Sequence, residues 1–244
     1  DTVREVAAAA ERAGLRTFWL NETPGADALA GLAAAAEVTE RLRLGTGVIP
    51  LDRFPAARIA ERVAAAGIPA GRLLLGVGSG GAPHAAAFVA SEVRELRERV
   101  ASPVLVGALG PLVRRVGAEL ADGLVLSWLS PDAASAARDE AVAAASSAGR
   151  PRPHVVLYAR TAVEAAAHPA LRAEAERYGT FPGYAANFAR LGEGPLDGSI
   201  LADDEAGLRA RIAAYDGTVD ELVLRVIAAD GSAAAIRRVI DAVG

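Results

Sequence analysis

The stretch Leu73-Leu74-Leu75-Gly76-Val77-Gly78-Ser79-Gly80-Gly81 decides how the rest of the chain is read. Three aliphatic residues followed by glycines at alternate positions describe a buried parallel strand entering a turn where the backbone must come close to something. A phosphate-bearing ligand is the expected occupant of that turn. Two further segments have the same design, Leu42-Arg43-Leu44-Gly45-Thr46-Gly47-Val48-Ile49-Pro50 and Pro103-Val104-Leu105-Val106-Gly107-Ala108-Leu109-Gly110-Pro111. Three strands ending in glycine suggest one shared rim.

Outward from these segments, helix and strand signals alternate. Val3 to Gly14 is an amphipathic helix stopped by glycine, Thr17 to Leu20 a strand, Asp27 to Thr39 a helix, and Ala56 to Ala66 the helix before the Leu73 strand. The second half continues with helices at Val89–Val100, Leu112–Leu120, Asp132 to about Ser147, Glu205–Tyr215 and Ser232–Val243, and with strands at Val104–Leu109, Leu124–Leu129, Val155–Ala159 and Glu221–Ile227. Asp132 or its neighbour is the expected cap of its helix. Ala167 to Leu201, rich in proline, glycine and aromatics, reads as irregular. No hairpin signal interrupts the order, so the strands are parallel and joined by crossover helices.

Seven strands are counted, where a closed barrel needs eight. A helix at the start with no strand before it is what a (β/α)8 TIM barrel lacking its first strand would show, and 244 residues match the roughly 250 of that fold. An open doubly wound sheet accommodates seven strands equally well, and only the lack of a long-range cue for its strand order favours the barrel. One domain, residues 1–244, is the default.

Composition removes several classes of chemistry. There is no cysteine, hence no disulfide, thiol nucleophile or thiolate zinc site, and all positive charge is arginine, so no lysine is present for Schiff-base chemistry or a Walker-type phosphate loop. A net charge of −4 without an arginine run argues against a nucleic-acid partner. The uncharged stretch Leu73 to Ser91 is too rich in glycine to suit a membrane span, and with no signal peptide evident a cytoplasmic enzyme is expected. The three histidines, His84, His154 and His168, have no metal-ligand spacing, and no metal site is expected.

The same glycine turn suggests two rivals. Gly76-Val77-Gly78-Ser79-Gly80-Gly81 fits a dinucleotide fingerprint, but the acid expected about 20 residues later would fall in a charged helix instead of ending a strand. As a nucleophile elbow around Ser79, it has Val77 where the first glycine belongs.

Taken together, Asn21-Glu22-x-Pro24-Gly25, Arg41 to Leu51, Gly71 to Gly80, Gly107-Ala108-Leu109-Gly110-Pro111 and Ala121-Asp122-Gly123-Leu124 resemble the luciferase-like monooxygenase superfamily, and within it the short oxidoreductases that use the deazaflavin coenzyme F420. The resemblance is strong from Val3 to about Leu129 and weaker beyond. It implies a luciferase-like barrel that transfers a hydride between F420 and a small organic substrate. The alternatives are an FMN-dependent monooxygenase or reductase of the same type, or a non-catalytic flavin-binding or cofactor-free barrel. It also implies a homodimer.

By the resemblance, Gly47 and Val48 form a bulge, often with a non-proline cis peptide, that backs the cofactor ring. Ser79 and Gly80 contact its tail, His84 touches ring or tail, and Gly107, Ala108 and Gly110 cradle its phosphate. The last assignment has independent support, because Gly110-Pro111 opens a helix whose free N–H groups and positive dipole end suit an anion. Where sugar-phosphate and alcohol dehydrogenases of the family carry an acid–base histidine, this chain has Asn21-Glu22-Thr23, so Glu22 is the candidate proton donor or acceptor and Asn21 its orienting neighbour. Some relatives carry a glutamate in the glycine turn, where this chain has Gly81, and the insertion that follows the fourth strand is absent. The substrate pocket must therefore be closed from elsewhere: Tyr178, Phe181, Tyr184 and Phe188 suit either that wall or a dimer contact, and Trp128, at a strand end, either lines the pocket or packs on a helix.

Overall fold

The computed structural model describes residues 2–229 and 232–244. Within them the chain forms two compact units, one of residues up to Val125 together with Ala141–His154, the other of Leu126–Glu140 and Val155–Gly244.

In the first unit the predicted alternation is present. It runs α1 (Thr2–Arg12), β1 (Thr17–Leu20), α2 (Ala28–Ala36), β2 (Arg43–Thr46), β3 (Ile49–Pro50), α3 (Ala56–Ala66), β4 (Leu73–Gly78), α4 (Ala85–Arg99), β5 (Val104–Gly107), α5 (Pro111–Leu120) and the start of β6 (Gly123–Ser127). These strands pair in parallel: β1 with β2, β2 and β3 with β4, β4 with β5, and β5 with β6. The strand expected over Leu42–Ile49 is divided in two, because the bulge at Gly47–Val48 interrupts it and β3 resumes pairing further along β4. Helix α4 starts four residues before the expected Val89, since Ala85-Ala86-Ala87 are strong helix formers that carry no amphipathic signal.

The sheet's loops are tied down by side chains of remote elements. Glu11, near the end of α1, accepts the backbone N–H groups of Arg41 at 2.6 Å, Leu42 at 2.8 Å and Glu40 at 3.0 Å, so one carboxylate fixes the turn that enters β2. These bonds, that of Arg41 foremost, hold its carboxyl below the usual glutamate range despite an opposing contribution from burial. Asp27 caps α2 by accepting from Ala30 N–H at 2.9 Å. Asp122 bridges the amide of Val104 (2.9 Å) and the Arg97 guanidinium (3.0 Å), fixing the entry to β5.

The second unit holds the end of β6, most of α6 (Pro131–Ser147), β7 (His154–Val163, whose first residue belongs to the other unit), α7 (His168–Gly179), α8 (Pro182–Leu191), β8 (Ser199–Ala202), α9 (Glu205–Ala213), β9 (Glu221–Val226) and α10 (Ala233–Val243). Strands β8 and β9 both run parallel to β7. The cap of α6 is not Asp132 or a residue adjacent to it but Ser130, two residues earlier, whose hydroxyl accepts from Ala133 N–H at 3.2 Å. The segment expected to be irregular is mostly helical. Pro169 and Pro182 lie in the first turns of α7 and α8, where a missing N–H has no consequence, and Gly192 closes α8 in the left-handed conformation. Composition alone read these prolines as breakers; their position makes them starters.

Glycines in this packing differ sharply in how much room they have. A Cβ on Gly76 would lie 2.0 Å from the Thr46 carbonyl oxygen, whereas one on Gly179 would meet nothing within 4 Å. Gly76→Ala is expected to cost about 1–3 kcal/mol in urea unfolding, and Gly179→Ala to stay within about 0.5 kcal/mol of the parent. For Glu11, the lowered folded-state pKa means its stabilisation is complete above the ordinary glutamate value of about 4.3 and is lost as pH falls through the depressed value. The stability difference between the parent and Glu11→Gln is therefore expected to be constant near neutrality and to shrink in acid, read as unfolding midpoints from pH 7 to pH 3.

Candidate functional site

At the centre of the first unit the Gly47–Val48 peptide is cis, at the position the resemblance implies. The Asn21 side-chain amide donates to the Gly47 carbonyl, which ties the loop after β1 to this bulge. The Val48 isopropyl group then lies in a hollow made by glycines. A Cβ added to each of them would approach its methyl carbons to 2.9 Å from Gly78, 3.0 Å from Gly107 and 3.3 Å from Gly76. Gly78 and Gly107 are register partners on β4 and β5, so they share a face of the sheet. The alternate glycines of the Leu73 stretch thus serve the protein's own bulge. Gly76 makes room for the Thr46 carbonyl, and Gly78 and Gly107 make room for Val48. On β2, Gly45 is covered by its register partner Trp19, whose ring atoms would be 2.2–2.5 Å from a Cβ.

The two glycine turns differ in chemistry. After β4, Gly80 adopts φ +60° and the Gly81 N–H donates to Asp52 Oδ2 at 2.7 Å. Asp52 fills the space beside Gly80, where a Cβ would fall 1.9 Å from Oδ1. A carboxylate of the chain itself therefore occupies the Gly81 donor of the turn read as a tail contact, and Ser79, half-buried, turns its hydroxyl to the Gly80 carbonyl. Nothing in the sequence marked Asp52; the hydrogen bond of Leu51 N–H to the Gly78 carbonyl at 2.8 Å is what brings it there. His84, exposed, is the residue before α4 and takes φ 51° without capping that helix through its side chain.

After β5 the arrangement is open. Gly110 precedes α5, Pro111 occupies the first turn, no side chain caps the helix, and a Cβ on Gly110 would meet nothing within 4 Å. The N–H groups of this first turn lack intrahelical partners by construction and suit an anion. The Ala108 N–H is engaged by the Val125 carbonyl at 3.2 Å, so Ala108 shapes this cradle and does not add a donor to it. The donor set fits a phosphate-tailed cofactor at α5 better than at the Ser79–Gly81 turn.

Glu22 lies in a structural network. Its side chain is 5% exposed; Arg62 Nη2 donates to both of its oxygens at 3.1 Å, and Ala28 N–H to Oε2 at 2.8 Å. Arg62 also pairs with Asp27 at 2.9 Å and lies over the Phe54 ring, 4.3 Å from its centroid. For Asp27, burial pushes the carboxyl up, but the Ala30 N–H and Arg62 more than offset it and hold the group below the usual aspartate range.

In the second unit Trp128 is 1% exposed, adopts φ 58° and packs with Tyr178 (centroids 5.1 Å apart) and Phe188 (6.4 Å). Tyr184 meets Tyr178 edge to face at 4.8 Å. Trp128 and Tyr184 thus belong to one aromatic cluster. Sequence reasoning missed the arginine at its heart: Arg160, 4% exposed, lies 4.2 Å from the Trp128 ring centroid and 4.9 Å from that of Tyr178. A charged residue inside the otherwise uncharged run of residues 155–163 was the available signal. Burial pushes the Tyr184 hydroxyl above its ordinary value, as does neighbouring Tyr178. The unit also contains a cavity of about 410 Å³ lined in part by Arg172, Glu176, Leu196 and Asp197, and no predicted site residue lines it. Among the described residues, no cluster of His, Asp or Glu could hold a metal ion, and no helix is long and apolar enough to cross a membrane.

Comparison with known proteins gives the fold its relatives. Residues 1–101 match the family model of luciferase-like monooxygenases. An F420-dependent secondary alcohol dehydrogenase, in complex with an F420–acetone adduct, is similar with a TM-score of 0.77 at 15% identity over 99% of this chain and 94% of that one. The coenzyme F420-dependent tetrahydromethanopterin reductase of Methanopyrus kandleri gives 0.73 at 17% identity over the same shares. The oxygenating constituent of 3,6-diketocamphane monooxygenase of Pseudomonas putida, in complex with FMN, gives 0.72 at 15% over 98% and 90%. No curated protein matches the chain in sequence. The fold is accordingly the TIM-barrel-like fold of luciferase-like proteins with one strand missing, and the open doubly wound sheet is set aside.

The network around Glu22 yields a test. Glu22→Gln keeps an acceptor for Ala28 N–H but discharges the pair with Arg62, and is expected to lower stability by about 1–3 kcal/mol in urea unfolding. A carboxylate free for proton transfer would tolerate the exchange without that loss.

Proposed function

From the luciferase-like signature carried by residues 1–101, we propose that the chain is an oxidoreductase moving a hydride between coenzyme F420 and a small organic substrate. The observation that carries this reading is the juxtaposition, in one unit, of the bulge at Gly47–Val48 with the uncapped N-terminus of α5: a surface to back a flat ring and donors for an anionic tail. Two of the similar solved structures are described as F420-dependent. The likeness to an FMN complex favours a second reading, an FMN-dependent monooxygenase or reductase on the same frame.

When bound, the deazaflavin supplies the hydride chemistry at its ring, and the protein supplies position and electrostatics. Val48, wedged among glycines, backs the ring. Asn21 holds the Gly47 carbonyl and so fixes the bulge against movement. The first turn of α5, with Gly107, Ala108 and Gly110 shaping its approach, takes the phosphate; Ser79, Gly80 and His84 border the tail. Glu22, ion-paired with Arg62, sets the loop that carries Asn21, and a proton role for it requires that Arg62 release an oxygen. The reading takes residues 1–244 as one luciferase-like domain, cytoplasmic and homodimeric.

Side-by-side titration with F420 and FMN, followed by fluorescence and absorbance, tests the proposal. F420 is expected to bind at least tenfold tighter; a preference for FMN transfers the assignment to the second reading, and binding of neither overturns both. Gly110→Asp adds a carboxylate in open space at the start of α5. It is expected to leave the unfolding midpoint unchanged or raised while weakening cofactor binding by tenfold or more.

A further inference from the structure

Strands β7 and β9 of the second unit bring two arginines together. Arg160 and Arg225 are register partners on neighbouring parallel strands, so they stand on one face of the sheet. Both guanidiniums donate to the same oxygen of one carboxylate, Glu174 Oε1, Arg160 through Nε at 3.3 Å and Arg225 through Nη1. Arg160 also donates to the Ser127 hydroxyl, at the last residue of β6. The side chains of Arg160 and Glu174 are 5% and 13% exposed, whereas Arg225 keeps 33%. Two cations share one anion, which leaves the group one positive charge in excess. Glu221, on the same face of β9, is four residues away, about 13 Å along the strand and at its opposite end.

Ser127 ends β6, Arg225 is the penultimate residue of β9, and Arg160 stands in the second half of β7. All three therefore lie toward the C-terminal ends of parallel strands, where barrel proteins build their sites. The walls beside them are flat and apolar, with Trp128 and Tyr178 against Arg160, and Tyr184 against Tyr178. Among the described residues Arg225 donates to Glu174 alone, although a guanidinium offers five N–H donors in a fork matched to a carboxylate.

We propose that Arg225, with Arg160 behind it, recognises a carboxylate on the substrate, and that the substrate carries that carboxylate on a planar apolar body held against Tyr178 and Tyr184. The inference rests on the oxidoreductase reading for calling the ligand a substrate, but the subsite itself belongs to residues of the second unit alone. One excess positive charge matches a monoanion; a phosphate dianion would overshoot it. Glu174 keeps the two guanidiniums aligned and competes with the incoming carboxylate.

Calorimetric titration of the full chain, alone and with excess F420, against benzoate, benzamide and phenyl phosphate tests the subsite without requiring turnover. Benzoate is expected to bind at least tenfold tighter than benzamide. Arg225→Gln is expected to abolish that preference while leaving benzamide and F420 binding unchanged, and Glu174→Gln to strengthen benzoate several-fold by removing the competing carboxylate. Equal binding of benzoate and benzamide, or a preference that survives in Arg225→Gln, overturns the proposal, and phenyl phosphate binding tighter than benzoate overturns the choice of carboxylate. Failure of F420 to bind would count against the cofactor reading and leave the benzoate comparison standing.

Discussion

The packing of Val48 among glycines is the constraint on which the first unit depends. A branched side chain at a cis peptide is accommodated only because β4 and β5 present hydrogen atoms where other residues would present methyl groups. The surrounding bonds serve this arrangement. Asn21 fastens the Gly47 carbonyl, Thr46 donates to the Gly76 carbonyl at 2.8 Å, and Leu51 returns the chain to Gly78. The glycines are thus divided in what they make room for: those of β4 and β5 receive the protein's own bulge, and the one before α5 leaves a helix end open.

Much of this was legible in the sequence. Aliphatic runs punctuated by glycine located the strands, because a strand buried on both faces has no polar alternation to obscure it. The cis bulge and the opening of α5 were legible through motif order. What could not be read was the identity of the partners. Asp52 lies 29 residues from Gly81 and Arg62 lies 40 from Glu22, so neither pairing leaves a local pattern. The segment after β7 was misread for a different reason: proline and glycine counts carry no information about which turn of a helix they occupy.

In the first unit, acidic side chains are distributed as anchors for loop amides, as with Glu11, Asp122 and Glu92, which accepts from Ala56 N–H at 2.7 Å. These carboxylates do the work of backbone partners where a turn leaves donors unpaired. In the second, Arg160, Arg225 and Glu174 form a compact group flanked by aromatic rings, as Glu22 and Arg62 do beside Phe54 in the first.

Trp19 and Trp128 are the chain's two tryptophans, and one falls in each unit. Their surroundings are unlike: Trp19 covers the side of Gly45 where a Cβ would stand, while Trp128 is enclosed beneath a guanidinium and beside tyrosine. A cation against the indole face should set its emission apart from that of an indole covering a glycine. The chain therefore carries a separate optical reporter in each half, and the order in which the two signals change during denaturation distinguishes one cooperative unit from two.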